Sequence, residues 1–253
     1  MSGWGLNRLN QKYSFFMVSF IFLACVPFPV FAVGQKDLPA DIVGEAFDLE
    51  SGAFLYRELH FLSPNLGEHR VAYQDQEGKI IAEKNLDFDG VSWQPSMRQR
   101  NEICGELIDV EFSSDSENLT IDYRADSNAR FKQKTIKNSE ALVVDAGFDA
   151  LLQKSWQELI DGETIRFDYL APSQLNTFLF QAEKTNCAEL DGADLQCFSV
   201  QPKRWWMKVL LDPIIVSYDS KSRNLMSFKG LGNIANSNCD YMKVDIRYEY
   251  LSN

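Results

Sequence analysis

Apolar and polar residues alternate along most of this chain, and the alternation is clearest in two segments. Leu119, Ile121 and Tyr123 are separated by polar residues, and residues 244–250 repeat the pattern. A period of two places the apolar side chains on one face of a strand, so both segments are predicted to be half-buried antiparallel strands. Less regular segments of the same kind are residues 44–50, 53–62, 70–75, 79–88, 106–113, 130–137, 164–170, 176–184, 195–201, 213–219 and 223–229.

Short turns, such as those at residues 51–52, 77–78 and 220–222, separate many of these strands. Connections this short join neighbouring strands, which predicts a meander. A long antiparallel sheet must curl or close. The predicted fold is therefore mainly β, a curved antiparallel sheet or an incompletely closed barrel. Residues 33–253 are predicted to form a single domain, while a division into two halves near residue 140 stays open.

Between residues 145 and 162 the apolar spacing changes to that of a helix. Asp145 is the candidate N-cap and Gly162 the candidate stop, so one central amphipathic helix is predicted here. A second short helix is predicted over residues 203–211, because Pro213 disfavours helical backbone in the residue before it. The apolar residues at helical spacing in the first segment are Phe148, Leu151, Leu152, Trp156, Leu159 and Ile160.

The beginning of the chain has the three parts of a secretory signal. Arg8 and Lys12 precede an uncharged run over residues 13–33, and Ala32 provides a small residue for cleavage. Residues 1–32 are therefore predicted to be a signal peptide, and the mature protein is predicted to be periplasmic. An uncleaved anchor stays open, because the uncharged run approaches the roughly 20 residues that cross a bilayer. A lipoprotein signal at Cys25 is the third interpretation.

Charge narrows the range of partners. Without Arg8 and Lys12 the 25 basic residues become 23, against 36 acidic residues, which gives the predicted mature chain a formal charge of −13. Nucleic acids are bound by clustered Lys and Arg side chains that displace counterions. The basic residues of this chain are scattered among acidic ones, so nucleic acid is excluded as the expected partner.

Four cysteines follow the signal segment, and an oxidising compartment favours bridges between them. Cys187 and Cys197 lie symmetrically about Gly192, so a hairpin that turns there would place them opposite one another. Elimination then pairs Cys104 with Cys239. Four reduced, buried thiols are the alternative.

Four blocks of sequence resemble an uncharacterised family of exported, β-rich proteins of Gram-negative bacteria. The resemblance implies a periplasmic domain but no catalytic residues, because the family has none assigned. The element order is also similar to that of periplasmic lipoprotein carriers, in which an unclosed half-barrel surrounds a helix. The blocks are GEAFDLESGAFLYRELH (44–60), GKIIAEKNLDF (78–88), DAGFDALLQKSWQELIDGETIRFDYLAP (145–172) and DPIIVSYDSKSRNLMSFKGLGNI (212–234).

Motifs for catalysis and for cofactors do not emerge from the sequence. His60 and His69 have no zinc-site spacing and are interpreted as ordinary surface or boundary residues. Residues 230–235 fit a dinucleotide fingerprint formally, but the polar residues 236–238 block the helix that it requires, so a loop is predicted there. No cofactor, no metal site and no enzymatic activity are predicted.

Two binding hypotheses follow from the predicted architecture. In the first, the concave face of the sheet holds a lipid or another apolar group without catalysis. In the second, the protein is a structural or assembly partner in the cell envelope and uses an edge strand or a basic-aromatic patch, which could also contact a membrane. The predicted apolar lining is Phe148, Leu152, Trp156, Phe178 and Phe180, and the patch is Lys203, Arg204, Trp205, Trp206 and Lys208.

A hydrolase is the third hypothesis. It requires a deep pocket with two inward carboxylates and a histidine whose pKa is perturbed. The sequence specifies neither the ligand nor the oligomeric state.

Overall fold

The computed structural model describes residues 39–63, 67–187, 194–204 and 211–251, most of which form one large antiparallel sheet that is not closed into a barrel. The mainly β fold class is therefore confirmed. The strands are β1 (Ile42–Asp48), β2 (Phe54–Ser63), β3 (Glu68–Gln74), β4 (Ile80–Asp87), β5 (Ser96–Asn101), β6 (Leu107–Phe112), β7 (Asn118–Arg124), β8 (Lys132–Lys137), β9 (Leu142–Val143), β10 (Ile165–Ala171), β11 (Asn176–Thr185), β12 (Leu195–Pro202), β13 (Ile214–Asp219), β14 (Leu225–Ala235) and β15 (Tyr241–Tyr250). The helices in these ranges are α1 (Gly147–Lys154), α2 (Trp156–Ile160) and the 3-10 turn Pro172–Gln174.

The sheet consists of two meanders joined at their first and last strands. Its order is β8-β7-β6-β5-β4-β3-β2-β1-β15-β14-β13-β12-β11-β10-β9. Each neighbouring pair is antiparallel except β9 and β10, which are parallel. Sequential neighbours agree with the predicted meander. The pairing of β1 with β15 joins residues about 200 positions apart in the chain, so it could not be inferred from turn lengths.

The concave face carries the core. Its side chains form three hydrophobic clusters: the first packs β4–β7 against residues of β9 and β10, the second lies at the β9–β13 end of the sheet, and the third lies in the middle. The first is centred on Met97, Val110, Leu119 and Ile121, the second on Leu152, Leu159, Phe167, Phe198 and Val216, and the third on Tyr56, Val71, Tyr73, Ile234 and Val244. The two helices belong to the second cluster and cover that end of the concave face.

The sheet curls far enough for β5 to contact β14, although five strands separate them in the sheet order. Buried side chains make this contact, which we call the cross-sheet seam. Its hydrogen bonds run from Gln99 Nε2 to the Asn233 carbonyl (2.8 Å), from Asn101 Nδ2 to the Ala235 carbonyl (2.8 Å) and from the Tyr241 hydroxyl to Glu106 Oε1 (2.6 Å).

The helical segment differs from its prediction in two respects. The helix is interrupted at Ser155, and its N-cap residue is Ala146 rather than Asp145. Asp145 instead has a positive φ of 42° and points its carboxylate at a lysine of the sheet. The predicted stop is confirmed, since α2 ends at Ile160 and Gly162 has a φ of +90°. Most of the predicted helix at 203–211 lies outside the described residues.

Two strand predictions were incomplete. β5 was missed because its inward positions include the polar Gln99 and Asn101, so the segment has no apolar alternation. The predicted loop at residues 230–235 is wrong, because β14 continues through an irregularity to Ala235. Gly230 has a φ of +153° and lies close to Ile214, which explains the glycine without a nucleotide.

Candidate functional site

Polar side chains gather at the middle of the otherwise apolar concave face. Glu58, His60, His69 and Lys84 occupy inward positions of β2, β3 and β4, and Asp145 joins them from the residue pair before α1. We call these five residues the central polar cluster. Alternation along three adjacent strands brings them together, because Val71 of β3 is paired with His60 on one side and with Lys84 on the other.

A buried ion pair joins the helical segment to the sheet. Lys84 Nζ lies 2.7 Å and 2.9 Å from the two carboxylate oxygens of Asp145. The side chains are only 3% and 12% exposed, so removal of either partner would leave a desolvated charge. Breaking such a pair typically costs about 3–5 kcal/mol.

Gly147 fixes the approach of the same segment. A Cβ at this position would collide with the carbonyl of Trp93, and the Val144 N–H donates to that same carbonyl at 3.1 Å. The chain between β9 and α1 is therefore held against the β4–β5 connection at a separation that only glycine permits. This contact and the ion pair place Asp145 in its left-handed backbone conformation.

The two histidines form a hydrogen-bonded chain with Glu58. His60 Nε2 lies 3.1 Å from Glu58 Oε2, and His60 Nδ1 lies 2.9 Å from His69 Nε2. The Tyr248 hydroxyl donates to the same carboxylate oxygen at 3.2 Å. With Glu58 as the acceptor, a neutral His60 donates through Nε2 and accepts through Nδ1, so His69 donates through Nε2.

Burial, together with the nearby His60 and Lys84, lowers the pKa of His69 to about 4, while Asp145 and Asp41 oppose the shift. His69 is consequently neutral at pH 7. A carboxylate–imidazole–imidazole chain can relay a proton, and it also satisfies polar groups that would otherwise be buried alone. Within the described residues, no group of three or more His, Cys, Asp or Glu side chains is arranged to hold a metal ion.

His60 and His69 are both half-buried, which agrees with the interpretation as boundary residues, but the sequence did not indicate that the two rings contact one another. His60 is 13% exposed, and both rings belong to the central polar cluster. The alternation along each strand could have identified them, because residues two positions apart lie on the same face. His60 is on the face of the buried Tyr56 and Glu58, and His69 is on the face of Val71.

The structure brings together four of the five predicted lining residues. Leu152 and Trp156 are buried in the second hydrophobic cluster, against which Phe148 and Phe180 pack at its edge. Phe178 is half-buried opposite Tyr169, outside the residues assigned to that cluster. The helix thus fills this end of the concave face with its own side chains.

A solvent-open groove of about 440 Å³ lies on the other side of the sheet. Its residues come mostly from the outward positions of β15, β1 and β2, and an exposed ion pair between Arg57 and Glu45 (2.8 Å) crosses it. The groove is therefore separate from the predicted apolar lining. It is lined by Val43, Glu45, Arg57, Leu59, Arg247, Tyr248 and Glu249.

The basic-aromatic patch lies mainly outside the described residues. Lys203 and Arg204 are exposed after the end of β12, while Trp205, Trp206 and Lys208 are not among the described positions. Within the described ranges, none of the helices is both long and apolar enough to traverse a bilayer.

Strand β8 forms one end of the sheet and is exposed at every residue but Ile136. The Asn138 N–H donates to the Glu117 carbonyl, so these two residues form a hydrogen-bonded pair just beyond the ladder between β7 and β8. Hydrogen-bonded and non-hydrogen-bonded pairs alternate along an antiparallel ladder. The backbone groups of residues 132, 134 and 136 therefore face β7, while those of Gln133, Thr135 and Lys137 face the open edge. At the other end of the sheet, β9 has two buried residues.

The predicted bridge between Cys187 and Cys197 is present, with the two Cα atoms 5.3 Å apart. The two residues are not directly opposite, because Thr185 pairs with Cys197 and the bridge runs diagonally. Cys104 and Cys239 are not bonded to one another, and both thiols are free. The fold nevertheless brings these two together, with Cys239 Sγ 4.0 Å from the Cys104 carbonyl oxygen.

Comparison with known proteins adds no assignment: no family model matches the chain, and a search of curated proteins gave no match. The resemblance to exported proteins of Gram-negative bacteria therefore stays a prediction.

The low pKa of His69 predicts a loss of stability in mild acid. Between about pH 6.5, where the unfolded imidazole titrates, and the folded pKa of about 4, the unfolded chain binds more protons. The free energy of unfolding should therefore fall by about 2 kcal/mol from pH 7 to pH 5. Urea unfolding at both pH values measures this change.

The matched control is His69→Gln, whose amide can still donate to His60. Its stability should change much less over the same pH interval. Equal losses in the variant and the unmodified protein would contradict the assignment of this pH dependence to His69.

Proposed function

We propose that this protein is exported and acts by binding, and that the open edge of β8 accepts an extended, acidic segment of another envelope protein. The observation that carries the proposal is the contrast between the two ends of the sheet. One end is a short buried strand, whereas the other is a six-residue exposed strand whose outer edge has no strand partner among the described residues. Such an edge is a template for strand addition.

The charge of β8 selects the kind of partner. Lys132 and Lys134 are on one face of the strand and Lys137 is on the other, in a chain with a formal net charge of −11. Lysines on an edge strand discourage unspecific pairing with apolar strands. Carboxylates directly opposite them would be favourable cross-strand pairs. An added strand with acidic residues two positions apart therefore suits this edge.

The filling of the concave face favours this assembly function over a ligand held within the sheet. The helices bury Leu152 and Trp156 in the predicted lining, and the middle of the face is polar. A lipid chain in the same place would have to displace packed side chains, and a fully buried Leu or Trp contributes several kcal/mol to the core.

The carboxylates of the central polar cluster also support a structural role. Asp145 is paired with Lys84, and Glu58 is bonded to His60 and Tyr248. A hydrolase would need one of them to face substrate. The contacts of both carboxylates are made with the protein itself, so catalysis is not our proposal.

Strand addition predicts that a proline at Thr135 weakens binding. The Thr135 N–H faces the open edge, so Thr135→Pro removes one donor to an added strand while leaving the ladder to β7 in place. The probe is a synthetic ten-residue peptide that alternates Glu with Val. Its Kd, measured by isothermal titration calorimetry at low salt, should rise at least about tenfold in the variant.

The control is Thr135→Ala, which loses the 3.3 Å contact between the Thr120 and Thr135 hydroxyls but keeps the N–H. Its Kd should equal that of the unmodified protein. Hydrogen exchange should show that the peptide protects the amides of Gln133, Thr135 and Lys137. Absence of binding, or equal binding by the proline variant, would contradict the proposal.

A second candidate function is the binding of an acyl chain beneath the helices. The half-buried Phe148 and Phe180, which lie at the edge of the second cluster, favour it because they border the helix–sheet contact. A fluorescent fatty acid should then bind with micromolar affinity and compete with lipid extracted from the purified protein. Phe180→Asp should abolish the signal while the exposed Glu158→Ala control preserves it. No co-purified amphiphile and no fluorescence change would contradict this function.

A further inference from the structure

We propose that Cys104 and Cys239 form a second, reversible disulfide that fastens the cross-sheet seam. This redox site is independent of partner binding at β8. It connects two turns that are distant in the sequence and in the order of the sheet. Cys104 lies in the connection between β5 and β6, and Cys239 lies in the turn between β14 and β15.

The seam holds the two turns together. Tyr241, two residues after Cys239, donates to Glu106, two residues after Cys104. On the strand side, Asn101 reaches the carbonyl of Ala235. The cysteines therefore lie between one buried and one partly buried hydrogen bond, each of which joins residues more than 130 positions apart. Two cysteines placed by chance in turns would not be expected to coincide at such a junction.

Close contacts and hydrogen bonds constrain the backbone of the two turns that contain Cys104 and Cys239. Gly105 has a φ of +82° and is so close to Ser127 that a Cβ would lie 2.8 Å from the Ser127 nitrogen. The Cys104 carbonyl accepts from that same N–H at 3.1 Å. Cys239 has a φ of +61°, and its N–H donates to the Asn236 carbonyl at 2.9 Å. Each turn thus presents its thiol in a fixed position.

The thiols already contact one another. A hydrogen bond to the Cys104 thiol, together with burial and the neighbouring Asp126 and Glu106, raises the pKa of Cys239 to about 12. Both side chains are half-exposed, so an oxidant or a reductant can reach them. The two thiols are hydrogen-bonded to one another, so either sulfur can begin an exchange, and the balance is the same with Cys104 first.

The reaction is a thiol–disulfide exchange with a disulfide-bonded oxidant. The Cys104 thiolate attacks the oxidant, forms a mixed disulfide and expels one oxidant sulfur, which takes up a proton. Cys239 then loses its proton and attacks the Cys104 sulfur of the mixed disulfide. The second oxidant sulfur leaves as a thiol. The two cysteines have lost two protons and two electrons, and the oxidant has gained them.

This bond would differ in effect from the bridge between Cys187 and Cys197. That bridge closes a loop with a sequence separation of 10, and its Cys197 is only 2% exposed. The Cys104–Cys239 bond would close a loop of about 135 residues, and in the chain-entropy model a longer loop stabilises more. It would also join strands that are not neighbours in the order of the sheet.

The test exposes the purified, reduced protein to glutathione disulfide, blocks free thiols by alkylation and identifies linked peptides by mass spectrometry. Peptides with Cys104 and Cys239 should be linked to each other. This bond should be reduced at a lower dithiothreitol concentration than the Cys187–Cys197 bond. Closure should raise the Tm by roughly 10 °C or more, given the loop length and the size of the chain.

Cys104→Ser and Cys239→Ser should each lose this redox-dependent change in Tm and leave the other cysteine open to alkylation. The matched control, Cys187→Ser with Cys197→Ser, should retain the Cys104–Cys239 link. The inference is overturned if both thiols remain alkylatable at equilibrium with glutathione disulfide. It is equally overturned if they link to other cysteines. Because the readout is the identity of the linked peptides, a variant that folds poorly does not obscure the result from the unmodified protein.

Discussion

The curl of this sheet depends on buried amide side chains that bond to a distant backbone. Gln99 and Asn101 of β5 donate to carbonyls of β14, and the Asn101 side chain is completely buried. A buried amide without a partner costs about 1–3 kcal/mol, so these side chains favour a conformation in which β14 is opposite β5. The hydrophobic effect favours burial of the apolar clusters but is not directional, so it does not select particular strand contacts. The hydrogen bonds of the seam specify which strands contact one another.

The polar groups within the concave face therefore act as determinants of geometry. Lys84 holds the segment before α1 through Asp145, and Gly147 sets the distance of that segment from Trp93. The helices can then cover only one end of the face, where Leu152 and Leu159 complete the core. Among the described strands, β8 is an exposed terminal strand with no neighbour on its outer side, which is why we assign binding to this edge and structural support to the interior.

The sequence predicted those elements whose inward residues are apolar. Strands such as β7 and β15 alternate cleanly, and the spacing of Cys187 and Cys197 indicated their bridge. β5 was not predictable from periodicity, because two of its buried positions are occupied by the polar residues Gln99 and Asn101. The central polar cluster was missed for a related reason: Lys84 and Asp145 are 61 residues apart, and their pairing depends on the curl of the sheet. Contacts fixed by long-range geometry leave no local pattern.

The most direct test of the seam compares two alanine variants on the same strand. Asn101→Ala removes a buried donor to Ala235, whereas Arg100→Ala removes an exposed side chain whose ion pair with Glu102 spans 3.7 Å. Urea unfolding should show a loss of about 1–3 kcal/mol for Asn101→Ala and less than about 1 kcal/mol for Arg100→Ala. Hydrogen exchange at the amides of residues 233–235 should accelerate only in the first variant. Equal stability and equal exchange in the two variants would contradict the account.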